Sequence, residues 1–73
     1  MSYKMICEVT GASQEDIDRW LANHARGKHY TATRDKRSPG GYGLSQYIAV
    51  YLDDERDRAA LKDSFDVVKV MWG

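Results

Sequence analysis

Few residues in this chain are of types that make or break bonds near neutral pH: one cysteine, Cys7, and two histidines, His24 and His29. A thiolate activated by an imidazole is a nucleophile, and thiolates and imidazoles in sets of three or four hold zinc. His24 and His29 lie five residues apart, the first inside a helical pattern and the second entering a strand-like run, and no second ligand pair accompanies them. Cys7 falls on the apolar side of an alternating segment, where a small thiol packs as a hydrophobe. No G-x-x-x-x-G-K-S/T run is present to cradle a phosphate. The acids Glu15, Asp16 and Asp18 would repel an anion from the nearest helix start. The expectation is a protein without catalytic residues, metal or cofactor.

Residues suited to recognition are more plentiful. The stretch RDKRSPGGYGLSQ, residues 34–46, carries Arg34, Lys36 and Arg37, three glycines and the only proline. Pro39-Gly40-Gly41 is a turn signal, since proline presets one dihedral and glycine frees the next. A hairpin needs about two to five loop residues, whereas this connection is expected to span eight or more. Arg34, Lys36 and Arg37, with Tyr42 near the tip, are groups that grip phosphates or an acidic protein surface. Just beyond lie Tyr47 and Tyr51, four residues apart and so on one side of a strand, about 13 Å from each other. Tyrosine joins an apolar ring to a polar tip and suits interfaces and stacking platforms.

The formal net charge is zero, but its distribution is uneven. Residues 19–37 hold Arg19, Arg26, Lys28, Arg34, Lys36 and Arg37 against Asp35 alone. Residues 53–66 hold Asp53, Asp54, Glu55, Asp57, Asp63 and Asp66 against three cations. The acidic group reads as a helix cap and a solvated face, the basic group as a solvated edge or a docking patch.

With 73 residues the chain is one domain, residues 1–73. A domain of this size buries only about 60% of its unfolded surface and has one small core. Composition at 42% hydrophobic and 30% charged argues against disorder. No apolar run approaches the roughly 18 residues of a membrane helix. The opening MSYKMICEV lacks the features of a secretory signal, and a lone cysteine suits a reducing compartment. A complete cytoplasmic protein is expected.

The elements that would position these groups follow from periodicity. YKMICEV, residues 3–9, alternates, with Tyr3, Met5, Cys7 and Val9 on one side and Lys4, Ile6 and Glu8 on the other. Ser13 and Asp16 resemble a capping box. They open a helix with Ile17, Trp20, Leu21 and His24 or Ala25 on its apolar stripe, and Gly27 stands where a C-terminal cap belongs. KHYTATR reads as a second strand. SQYIAVYL is a third, with Ile48, Val50 and Leu52 opposite Tyr47, Ala49 and Tyr51. Asp53 or Asp54 caps a second helix, whose apolar side is Ala60, Leu61 and Phe65. DVVKVMW closes the chain as a fourth strand. Trp20 and Trp72 are expected in or at the edge of the core.

Strand, helix, strand, strand, helix, strand is the order of a ferredoxin-like α+β fold: a four-stranded antiparallel sheet with both helices on one face. Helices would cover Met5, Cys7, Val9, Ile48, Val50 and Leu52. The other face, bearing Tyr47 and Tyr51, would be bare.

RNA-recognition domains share this element order, and their third strand carries K/R-G-F/Y-G/A-F-V-x-F/Y. Gly41, Tyr42, Gly43 and Tyr47 satisfy that pattern. Gly40 replaces the cation, Leu44 the stacking aromatic and Ser45 the valine, and the first strand lacks its companion aromatic. Membership is not assigned. The function expected is protein–protein interaction through the bare face and the 34–46 hairpin, with a larger protein or complex that it inhibits, or with a second copy. Small cofactor-free inhibitors of this size are often encoded by viruses and mobile elements. The alternative is binding of single-stranded nucleic acid, RNA included.

Overall fold

The computed structural model describes residues 3–37 and 44–72, with side chains for 3–35 and 46–72. The elements are β1 (Met5–Thr10), α1 (Gln14–His24), β2 (His29–Arg37), β3 (Leu44–Leu52), α2 (Glu55–Ser64) and β4 (Asp66–Trp72). They form one four-stranded sheet in the order β2-β3-β1-β4, every neighbour antiparallel. This is the ferredoxin-like arrangement expected from the alternation of β and α patterns.

Alternation decides the two faces. Met5, Cys7 and Val9 of β1 and Ile48, Val50 and Leu52 of β3 are buried in one cluster with Ile17 and Leu21 of α1 and Leu61 of α2. Trp20, Phe65, Val67 and Val70 pack around its margin. Both helices therefore lie on the same face of the sheet. β2 presents Thr31 and Thr33 to that face in place of aliphatics, and α1 answers with polar groups. Gln14 Nε2 donates to the Thr31 carbonyl and hydroxyl at 3.2 and 3.1 Å. The Thr33 hydroxyl donates to Gln14 Oε1 at 2.8 Å, and the Thr31 hydroxyl donates to Asp18 Oδ1. A buried threonine is tolerated because its hydroxyl is satisfied.

Helix α1 begins as its capping signal predicts. Ser13 is extended and its Oγ accepts from the Asp16 N–H at 3.1 Å. Its end differs from expectation, because Ala25, not Gly27, closes the helix, donating its N–H to the Leu21 carbonyl at 2.9 Å. Gly27 serves close approach instead: a Cβ there would come within 3.2 Å of Asp54 Cβ.

The acids before and within α2 form a cap and a solvated face, as expected, with Glu55 and Asp63 exposed, but Asp57 departs from that reading and Asp53 is tied to backbone. The Lys4 N–H donates to Asp53 Oδ1 at 3.0 Å. Asp54 caps the helix by accepting from the Arg56 N–H at 2.8 Å. Asp57 is 2% exposed, and its carboxylate accepts from the backbone N–H groups of Arg26, at 2.9 and 3.0 Å, and Gly27, at 3.0 Å. Ala60, expected inside, is exposed, and α2 buries Leu61 and Asp57. Trp72 is 60% exposed, not at the core, with the Arg58 guanidinium 5.6 Å from its ring centre.

Bonds from the Arg56 guanidinium, then from its backbone N–H, draw the Asp54 carboxyl down from 3.8 to about 2. A depressed folded value means that the unfolded chain binds the proton more readily, so stability rises with pH across that interval. The contribution of this cap is complete above the ordinary carboxylate value and is lost as pH falls from 3.8 through about 2. Asp54→Asn keeps a capping oxygen without the titration. Denaturant titrations stepped from pH 5 to pH 2 are expected to show a shallower acid decline in this variant; identical slopes would contradict the assignment.

Candidate functional site

On the side of the sheet facing away from the helices, cross-strand pairing places side chains in three transverse rows. Tyr30 of β2, Tyr51 of β3, Ile6 of β1 and Met71 of β4 make the first. Ala32, Ala49, Glu8 and Lys69 make the second. In the third, Arg34 pairs with Tyr47 on β2 and β3, and Thr10 with Asp66 on β1 and β4. No other element among the described residues covers these rows.

The first row is an aromatic cluster. The Tyr51 ring lies 5.6 Å from Tyr30 and 5.7 Å from Tyr3, with interplanar angles of 52° and 56°. Such tilted contacts suit the ring quadrupole better than face-to-face stacking. Arg34 Nη2 donates to the Tyr51 hydroxyl at 3.1 Å. Since Arg34 stands opposite Tyr47, its side chain spans from the third row to the first, across the row of alanines. Ala49, between Tyr47 and Tyr51 on β3, is buried although no helix covers this face. The bond to Tyr51, followed by the nearness of the tyrosines, raises the Arg34 guanidinium further above its ordinary value, so it is a permanent cation. Glu8, in the middle of the face, is only 7% exposed. Neither an ion pair nor a hydrogen bond engages its carboxylate among the described residues. At the far edge, the Thr10 hydroxyl donates to Asp66 Oδ2 at 3.3 Å.

Of the residues singled out by sequence, Arg34, Tyr47 and Tyr51 come together on this face. Arg34 lies in strand β2, not in a loop, because β2 and β3 pair from His29–Leu52 to Arg37–Leu44. The connection is residues 38–43, shorter than the eight or more expected. Lys36 and Arg37 likewise belong to β2 by their backbones. Tyr42 and the Pro39-Gly40-Gly41 turn lie outside the described residues.

Sequence reasoning placed Ile6, Glu8 and Ala49 on this face and missed Tyr3, Tyr30, Met71 and Asp66 as members of it. Parity puts Tyr3 on the core side, but the chain bends at Lys4, whose N–H is tied to Asp53, and the ring joins Tyr51 instead. Tyr30 becomes visible once the hairpin register is known, since it stands directly opposite Tyr51. Met71 and Asp66 fall on this face because the register slips between Glu8 and Val9, leaving Val68 as an extra, bulged residue.

The residues with chemical potential are elsewhere. Cys7 is buried, and desolvation raises its thiol above the ordinary value, with Arg58 partly opposing. A thiol held protonated is a poor nucleophile. His24 stacks on Trp20 at 4.8 Å and 17°, its Nδ1 2.9 Å from the Trp20 carbonyl oxygen. His29 Nδ1 lies 3.3 Å from the Gly27 carbonyl oxygen. Among the described residues there is neither a pocket nor a cluster of three potential metal ligands.

The chain thus belongs to the class of small ferredoxin-like α+β domains with an open, tyrosine-bearing sheet face. No family model, curated protein or solved structure matches it.

Proposed function

We propose that this protein is a non-enzymatic binding module that docks another protein surface against the open face of its sheet. The observation that carries this reading is the cluster of exposed Tyr30 with half-buried Tyr51 and Tyr3, joined by Met71 at 38% exposure, on a face that no other element covers among the described residues. Aromatic residues, methionine and arginine are enriched at protein interfaces, and Arg34 stands among these tyrosines. Tyr30 is 56% exposed, far more than ring burial within the chain requires. The buried free thiol of Cys7 suits action in a reducing compartment such as the cytoplasm.

Single-stranded nucleic acid is the competing occupant, because tyrosines beside an arginine are also the residue types that stack bases. Two features favour protein. The rings are tilted against one another instead of offering parallel platforms, and the carboxylates Glu8 and Asp66 would meet phosphates. A short oligonucleotide titrated at low and moderate salt separates the readings. Affinity that falls steeply with salt marks phosphate contacts and would transfer the assignment to nucleic acid.

The combined change Tyr30→Ala and Tyr51→Ala is expected to leave the far-ultraviolet circular dichroism spectrum unchanged. It should abolish most capture of bound protein from a native lysate, measured beside wild type. Equal capture by both forms would remove the face from consideration.

A further inference from the structure

The open face is divided lengthwise into two unlike halves. The half on β2 and β3 is aromatic and cationic: Tyr30, Tyr51, Tyr47 and Arg34, with the small Ala32 and Ala49 between them. The half on β1 and β4 is aliphatic and mainly anionic: Ile6, Met71, Thr10, Glu8 and Asp66, with Lys69 as its cation. A surface of this kind complements itself. In a symmetric dimer each contact occurs twice, residue i of one copy on residue j of the other and the reverse, so the patch must carry both partners of every pair.

We propose that the occupant of this face is a second copy of the chain, packed sheet to sheet about a two-fold axis parallel to the strands between β3 and β1. This rests on the docking reading above and names its partner. Such an axis lays β3 of one protomer over β1 of the other, and β2 over β4. Tyr51 then meets Ile6, and Tyr30 meets Met71. Lys69 stands over Ala32, a long side chain above a short one, and Glu8 over Ala49, the latter two already nearly buried within each chain. Arg34 meets Asp66, cation to anion. Like charges are not opposed in any row, and Glu8 is placed between the Tyr47 and Tyr51 positions that flank Ala49 on the facing sheet.

Paired sheets in a sandwich stand about 10 Å apart with strands within about 30° of parallel, which preserves these row matches near the axis. Three rows across four strands project to roughly 400 Å², from strand spacing and rise. A standard stable interface takes about 800 Å² of accessible surface from each partner. The dimer is accordingly a weak one that forms at micromolar concentrations and above.

Sedimentation equilibrium tests this directly. As protein concentration climbs from about 10 μM to about 1 mM, the mass should rise from 8.3 kDa toward twice that value. Arg34→Asp and Asp66→Arg should each weaken association by at least about tenfold, as breaking a charge pair does. The two together should restore it. β2 and β4 are opposite edges of the sheet, about 14 Å apart at ordinary strand spacing. Rescue therefore reports a pair formed between protomers and not within one.

A mass of one chain at every concentration overturns the proposal. So does a dimer indifferent to the single changes, or one that the double change fails to restore. A monomer that still captures another protein in a Tyr30- and Tyr51-dependent way leaves the docking face standing and removes only its assignment to a second copy. A monomer whose capture ignores the tyrosines removes both.

Discussion

Asp57→Ala is expected to lower folding stability by about 2–4 kcal/mol, although it deletes a charged residue from an acid-rich helix. The usual expectation for such a change is near zero, because surface carboxylates contribute little. Asp57 differs in having both oxygens engaged by backbone amides 30 and 31 residues earlier in the chain. These are the N–H groups of Arg26 and Gly27, in the segment leaving α1. The carboxylate thereby welds the exit of one helix to the first turn of the other, where the dipole of α2 also favours a negative charge. Truncation leaves two donors without their acceptor, and Gly27 packs too closely on Asp54 for the segment to shift freely. Asp57→Asn should fall between, since one oxygen remains but an amide N–H₂ now faces N–H donors. Denaturant midpoints for the three proteins check the order; an Asp57→Ala midpoint equal to wild type would show that the welded turn has no energetic role.

Asp57 also marks where sequence reading stops. Period and composition place it among exposed acids, and nothing in its neighbours distinguishes it from Asp63, which is exposed. Its partners are main-chain amides, which every residue possesses and which leave no trace in the sequence. The core was legible because burial of Met5, Cys7, Val9, Ile48, Val50 and Leu52 obeys a two-residue period that chemistry writes into side-chain type. Ile6, Glu8, Tyr47, Ala49 and Tyr51 of the open face were legible for the same reason. The rest depends on register between strands distant in sequence. The β4 bulge at Val68 and the bend at Lys4 each move side chains to the face opposite the one that simple parity assigns. Strand β2 ran past its predicted end because pairing with β3 holds Asp35, Lys36 and Arg37 extended despite their weak strand preference.

The segregated charge, read as two blocks in sequence, is resolved differently in space. Asp53, Asp54 and Asp57 are spent on backbone groups that order the loop before α2 and the exit of α1, so they do not form an acidic docking patch. Arg34 is fixed among tyrosines. The exposed charge on the open face is that of Asp66, Arg34 and Lys69, with the carboxylate of Glu8 nearly buried among them. Among the described side chains the surface assigned to docking thus carries both signs of charge, which favours a partner of mixed charge over a polyanion.

Leu21→Ala should destabilise the fold by about 2–4 kcal/mol, and Val50→Ala by about 1–3 kcal/mol, as buried aliphatic truncations do. Leu21 is fully buried where α1 meets the sheet, and it belongs to the same cluster as Val50 and Leu61. At about 0.05–0.15 kcal/mol per residue, a chain of 73 residues has total stability on the order of 4–11 kcal/mol. Deleting Leu21 therefore removes a large fraction of it, and collapse of the neighbours into the cavity is limited because Ile17 and Leu21 are the buried residues through which α1 meets the core. Tyr30→Ala provides the contrast: the ring is as large but exposed, so its loss should change stability by only about 1 kcal/mol, mostly through the contact with Tyr51. Urea titrations of the three variants compare the two faces of one sheet. Core-face truncation should move the midpoint strongly, whereas open-face truncation should leave the fold nearly intact and act on binding. Were Tyr30→Ala to destabilise as much as Leu21→Ala, that ring would be part of the folding core, and the face it lies on would not be free to dock anything.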